Sequence, residues 1–292
     1  MMKKIGVICF AFVLGLALLA TGCSEKKGGS LGEQLDYKIT GIDPGAGLMK
    51  KTKEVMKSYG LDKWQLIEGS EAAMIASLKK AYDKKEPIVV TGWTPHWMFA
   101  KFDLKYLDDP KNVYGDAENI NTVVRLGLKD DEPSAYTVLD QFAWTPKDMG
   151  EVMLMNEDGT DPAESAQKWL DNHQDKLQEW TKGAAKVNGN KIHLVYVAWA
   201  SEIASTNVVA KALESIGYKV ELTQVDAAPM WAGIADGSAD AMVAAWLPST
   251  HADYFNAYKG KFEDLGPNLT GTKLGLVVPS YVAANSIEDL QN

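Results

Sequence analysis

The stretch Ala241-Met-Val-Ala-Ala-Trp-Leu-Pro-Ser-Thr-His251 repeats, in outline, an earlier one, Pro87-Ile-Val-Val-Thr-Gly-Trp-Thr-Pro-His96. Each is a short apolar run, of the length and composition of a buried strand, that delivers a Trp, then a Pro, then a His. What precedes them matches as well. Ser70-Glu-Ala-Ala-Met74 opens one helical stretch and Asp226-Ala-Ala-Pro-Met230 another, and each leads into its Trp-bearing strand. Outward from these, the hydrophobic spacing predicts strands at 37–42, 64–67 and 88–91 around helices at 48–59 and 72–84. The same order returns as strands at 191–198, 219–225 and 239–245 around helices at 203–216 and 230–235. Strands alternating with helices predict an α/β fold with largely parallel sheets. Two such units predict two lobes, although two unrelated α/β units would share much of this pattern. Open sheets hold ligands at the carboxyl ends of their strands, so two such edges face to face make an interlobe cleft.

Between the halves, residues 133–183 form a helical insert, with helices at 146–155 and 162–180 that start on acidic turns. Residues 121–126 and 272–278 are short and β-like and are read as hinge strands; 285–290 is read as a helix returning to the first lobe. The expected division is residues 37–122 plus 279–292 for one lobe and 123–278, including the insert, for the other.

At 292 residues the chain has room for two lobes with substantial cores. Lys plus Arg is 30 against 39 for Asp plus Glu, a formal charge of −9, which excludes a nucleic-acid coat. The two Cys, Cys9 and Cys23, exclude a disulfide scaffold and a Cys-based zinc site in the folded part. The N-terminus reads as an export address. Lys3 and Lys4 precede an apolar stretch too short for a comfortable membrane span, and 1–22 is assigned as a signal peptide. Leu19-Ala-Thr-Gly-Cys23 resembles a bacterial lipobox, with Ala20 where a Leu is commoner, so Cys23 is expected to carry lipid. An ordinary secretory signal is the alternative. Residues 23–36 then form a flexible, Gly-rich tether, and the protein is expected to be extracytoplasmic, lipid-anchored to the outer face of the cell membrane.

Enzyme motifs are missing. The four His form no metal-binding pair, and no nucleophile elbow or Walker loop occurs. Gly41-Ile-Asp-Pro-Gly-Ala-Gly47 joins a strand to a helix without the dinucleotide spacing, but a bare helix N-terminus there suits an anion such as a carboxylate. A tight turn with no ligand is the alternative. Nine Trp is an unusual count. Trp93, Trp199 and Trp246 come at the ends of apolar strands, which marks them as cleft walls; Trp64, Trp97, Trp144, Trp169, Trp180 and Trp231 sit in periodic contexts and read as packing. Three aromatic faces suit a quaternary ammonium group. At about 1–2 kcal/mol per desolvated ring, they supply much of the roughly 8 kcal/mol that micromolar binding needs. A cation cage and an anion site in one cleft describe a small zwitterion. His251, five residues after Trp246, is placed to donate to the anionic end, with an ordinary surface or core histidine as the alternative, whereas His96 reads as structural, capping a turn near Trp97.

Gly41-IDPGAG-Leu48, Thr91-GWTPHWMF-Phe99, Tyr196-VAWASEIAST-Thr206, Ala228-PMW-Trp231 and Ala245-WLPSTH-His251 resemble the glycine betaine-binding lipoproteins of OpuA-type osmoprotectant ABC importers. The resemblance runs from about residue 37 to the C-terminus. It implies a two-lobed periplasmic-binding-protein-like fold of class II type with a hinge. It implies that Trp93, Trp199 and Trp246 enclose the trimethylammonium group, and that the Gly47 and Leu48 amides with His251 hold the carboxylate. In many family members the half resembling 191–290 comes first, so the order here looks circularly permuted. The implied function is capture, not catalysis, by a monomer that delivers ligand to a permease with its ATPase and needs no cofactor or metal. Choline, carnitine and proline betaine are alternative ligands. An exported hydrolase of choline-type esters is a rival class, with Ser201 and Ser205 near Trp199 as its only nucleophile candidates; a sensor domain is another.

Overall fold

The computed structural model describes residues 29–291, so the signal peptide and Cys23 lie outside the described residues. The first half runs α1 (Leu31–Gln34), β1 (Lys38–Thr40), α2 (Gly47–Ser58), β2 (Gln65–Ile67), α3 (Glu71–Lys84), β3 (Val90–Thr94), α4 (Met98–Lys101) and β4 (Leu104–Tyr106). β5 (Glu118–Arg125) leads into the insert: α5 (Leu128–Asp131), α6 (Pro133–Gln141), α7 (Pro146–Glu157), α8 (Pro162–Asn172) and α9 (Gln174–Trp180). The second half runs β6 (Lys191–Tyr196), α10 (Ala200–Ser215), β7 (Lys219–Gln224), α11 (Ala227–Asp236), β8 (Ala241–Leu247), α12 (Ala252–Ala257) and β9 (Phe262–Pro279), and ends in a 3₁₀ turn, Ile287–Gln291.

The sheet order is β2-β1-β3-β9-β5-β8-β6-β7, with β4 also against β9. β1 is parallel to β2 and β3, and β6 is parallel to β7 and β8. Each half is therefore a parallel trio in second-first-third order, flanked by an antiparallel strand: β9 beside β3, and β5 beside β8. The repeat read in the sequence is present at the level of topology. Each Trp-x-Pro turn also carries a cis peptide bond before its proline, Pro95 and Pro248.

Three expectations are corrected. Of the two expected hinge segments, 121–126 lies within β5 in the second half-sheet, whereas β9 passes from one half-sheet to the other between Thr272 and Lys273, at the start of the expected 272–278. β5 starts at Glu118 and pairs along its length with β8 and with the first part of β9, whereas Lys273–Pro279 pairs with β3 and β4. Only the apolar end of β9 reads as a strand, because 262–271 carries Gly266, Pro267, Asn268 and Gly271, residues typical of turns. The tether ends sooner than expected: Ser30 and Glu33 form a reciprocal capping box on α1. The helix expected over 162–180 breaks at His173 into α8 and α9. The tryptophans of the insert, read as packing, are buried against one another. Trp169 stacks on Trp180 with centroids 6.0 Å apart, and Trp144 meets Trp169 edge-on at 5.8 Å. Among the described residues no helix is long and apolar enough to cross a membrane.

Candidate ligand-binding site

In a second-first-third trio, the crossover after the first strand goes one way and the crossover into the third goes the other. A crevice opens between their loops at the strand carboxyl ends. In the first half this switch point lies between the loop after β1, which leads to Gly47, and the end of β3, which carries Trp93. In the second it lies between the loop after β6, where Trp199 is the N-cap of α10, and the end of β8, which carries Trp246. All six residues singled out for the ligand thus sit at two switch points that meet.

Trp93 and Trp199 come from opposite halves, with centroids 6.4 Å apart and planes tilted by 55°. They are two walls at an angle, not a stack. The Trp93 indole N–H donates to Ser201 Oγ at 3.2 Å, and the Trp199 N–H crosses to Asp43 Oδ2 at 3.0 Å. Trp246 donates to Glu202 Oε1 at 2.6 Å, and the Ser201 hydroxyl donates to the other oxygen of that carboxyl group. The indole edges are therefore tied down, which leaves the π faces for contact. All three rings are buried.

The residues expected at the anionic end lie where Gly47 meets Thr250 of the opposite half. α2 starts at Gly47 after Ala46, with no side-chain cap, and among the described residues neither the Gly47 nor the Leu48 amide donates a hydrogen bond within the protein. Gly47 is required there, since a Cβ would lie 2.1 Å from the Thr250 carbonyl oxygen of the opposite half. Glu118 fixes that opposite loop by accepting from the Ser249 and Thr250 amides and the Thr250 hydroxyl. His251 follows, with 0% exposure and its ring 6.3 Å from that of Trp199. Its Nδ1 accepts the Trp246 amide at 3.2 Å and the Trp231 indole N–H at 3.4 Å. Burial pushes its pKa down to about 3, so the ring is neutral and its proton sits on Nε2. Among the described residues that buried donor has no partner. An unmet donor of this kind costs about 1–3 kcal/mol, which an arriving acceptor recovers.

His96 differs, as expected. Its Nδ1 accepts the Met98 amide at 3.0 Å, and its Nε2 pairs with Glu71 Oε1 at 3.0 Å. Four residues at the site were not singled out from the sequence: Asp43, Glu71, Glu118 and Glu202. The second oxygen of Glu71 accepts the Ala200 amide across the cleft at 2.9 Å, capping α10 from the opposite half. Trp231, read as packing, is buried but also holds His251. Ser201 bonds Glu202 and Trp93, and Ser205 bonds the Glu202 carbonyl, so neither is set against an imidazole as a nucleophile would be. A groove of about 380 Å³ beside Trp199 is lined by Asp43, Ala46, Gln224, Asp226 and Pro229.

A family profile described as the substrate-binding domain of ABC-type glycine betaine transport systems matches residues 23–172 and 190–292. The glycine betaine/carnitine transport binding protein GbuC of Listeria monocytogenes is 58% identical over 100% of this chain and 99% of its own. Among solved structures, the glycine/betaine/L-proline-binding protein ProX of Borrelia burgdorferi is 31% identical with a TM-score of 0.50, over 54% of this chain and 63% of its own. Lactococcal OpuAC, closed on glycine betaine, is 46% identical with a TM-score of 0.49, over 55% and 64%. The match spans under two thirds of either solved chain. With the profile matched in both halves and a relative 58% identical from end to end, the chain belongs to the family of substrate-binding domains of ABC-type glycine betaine transport systems.

Proposed function

We propose that this protein captures glycine betaine outside the cytoplasm and delivers it to the permease of an ABC importer. The observation that carries this reading is His251 Nε2, a buried donor without a partner, beside Trp199 and across from the free amides of Gly47 and Leu48. In this reading Trp93, Trp199 and Trp246 take the trimethylammonium group by cation–π attraction, and His251 with the two amides takes the carboxylate. The ligand then bridges two lobes, approximately 37–117 with 273–291 and 118–272. Binding favours the closed arrangement already held by Trp199–Asp43, Trp93–Ser201 and Ala200–Glu71. The halves are permuted relative to many family members, in keeping with α1 and Trp64 lying against the C-terminal turn, where the Trp64 indole N–H donates to the Leu290 carbonyl at 2.9 Å. Lipidation at Cys23 and a monomeric state complete the proposal. Carnitine is a second ligand, on the strength of the listerial relative's name.

Titration calorimetry of the protein with glycine betaine, carnitine and choline tests this. One-to-one binding of glycine betaine at about micromolar Kd is expected, with choline at least about tenfold weaker. Choline binding as tightly as glycine betaine removes the carboxylate site, and no binding of any of the three removes the function.

A further inference from the structure

Among the described residues Glu202 is the one acidic side chain to which two of the cage tryptophans lead. It lies in the first turn of α10 at 1% exposure. One oxygen accepts the Trp246 indole N–H, and the other accepts the hydroxyl of Ser201, which itself receives the Trp93 indole N–H. The carboxyl group thus joins a tryptophan of one lobe to a tryptophan of the other, with no basic side chain bonded to it among the described residues. Burying a charge without a counter-charge is expensive, and a protein keeps such a group only where something offsets the cost.

We propose, on the reading of the site given above, that Glu202 is the positioning residue and counter-charge of the cage. It fixes the edges of Trp246 and, through Ser201, Trp93, and its negative charge adds to the pull of those rings on a quaternary ammonium group. An indole N–H bonded to an anion is polarised, which makes its π face more electron-rich. The cation in turn is the missing counter-charge, so binding and the ionisation of Glu202 favour one another.

Burial pushes the Glu202 carboxyl up to about 7; the bonds from Ser201 and Trp246 pull it down, and the charge of Glu71 pushes it further up. Across the cleft Asp43 accepts the Trp199 indole N–H, and titratable groups on the elements packed against α10 have partners of their own. Glu71 on α3 pairs with His96, which follows β3, and His251 after β8 is neutral. His193 on β6 is held by Ser238 and Thr223, and on β7 Glu221 pairs with Lys191. On the insert helices Glu151 pairs with Lys147, and Glu164 with Lys168. A bound cation lowers the Glu202 pKa from its ligand-free value, so binding near neutrality releases a proton to solvent. Affinity rises with pH and levels off above the ligand-free pKa.

The test is calorimetric titration of glycine betaine from about pH 5.5 to about pH 8.5, on the parent and on Glu202→Gln, each pH in two buffers of different ionisation enthalpy. For the parent, affinity is expected to rise about fivefold or more across this range, with a buffer-dependent heat showing proton release. Glu202→Gln is expected to bind about tenfold more weakly at the alkaline end and without that slope. Should the variant fail to fold, as thermal unfolding would show, the heat of the parent alone decides. A parent that binds glycine betaine with no slope and no proton release overturns this inference and leaves the function standing. A parent that binds none at any pH overturns the function and the inference with it.

Discussion

His96 and His251 both follow a Trp-x-Pro turn at the end of a parallel strand, and the protein uses them in opposite ways. Both nitrogens of His96 are engaged, by the Met98 amide and by Glu71. His251 has one nitrogen engaged twice and the other, among the described residues, not at all. The difference lies in the neighbours. In the first lobe an acid, Glu71, reaches the ring from α3. In the second, Trp231 and a backbone amide converge on Nδ1 and force the proton to the far side. One histidine is bonded on both sides within the frame, and in the proposed reading the other keeps a donor for the ligand. The two copies differ in the spacing of the His after the Trp, three residues in one and five in the other, and in what is packed behind the ring, which leaves one copy fully bonded and the other with a donor to offer.

The comparison can be broken in several ways. The largest effect is expected from Trp199→Ala, which removes a cage wall and the bond to Asp43; glycine betaine affinity should fall more than about tenfold by calorimetry, and a change within about twofold takes this ring out of the cage. His251→Ala comes next, at about tenfold for glycine betaine but under about twofold for choline, which has no carboxylate. Equal losses for both ligands would make His251 a packing residue like its counterpart. Glu71→Gln loses the charged cap on α10 and the carboxylate that meets His96 Nε2. It should weaken both ligands alike, by about three- to fivefold, because it acts on closure and not on either end of the ligand. A ligand-selective effect would place Glu71 in the site itself. The smallest effect is expected from Lys50→Ala. Its ion pair with Asp253 also crosses between the lobes, but both side chains are more than half exposed, and affinity should move by less than about twofold.

Much of this was legible from spacing alone. The two parallel trios, the insert and the placing of Trp93, Trp199 and Trp246 at strand ends follow from alternating apolar runs and helical periodicity, because burial imposes those periods. The first part of β9 was not legible. Gly266, Pro267 and Gly271 break the apolar pattern, and it is held by pairing to β5, far away in the chain. Glu202, Glu71 and Asp43 were hidden for a related reason. An acidic residue in a first helical turn or a Gly-rich loop is ordinarily solvated, and the partners that bury these three lie in other elements, Trp246 being 44 positions beyond Glu202. The signal that was available for Glu202 is its setting, since the other residues of the first two turns of its helix, 200–206, are all small or apolar.

The most direct test of the two-ended site is a crystal structure of the complex with glycine betaine. The trimethylammonium group is expected against the faces of Trp93, Trp199 and Trp246, with the carboxylate accepting from His251 Nε2 and from the Gly47 and Leu48 amides. A ligand seated instead in the groove between Asp43 and Asp226, with His251 Nε2 still unpartnered, would contradict the account.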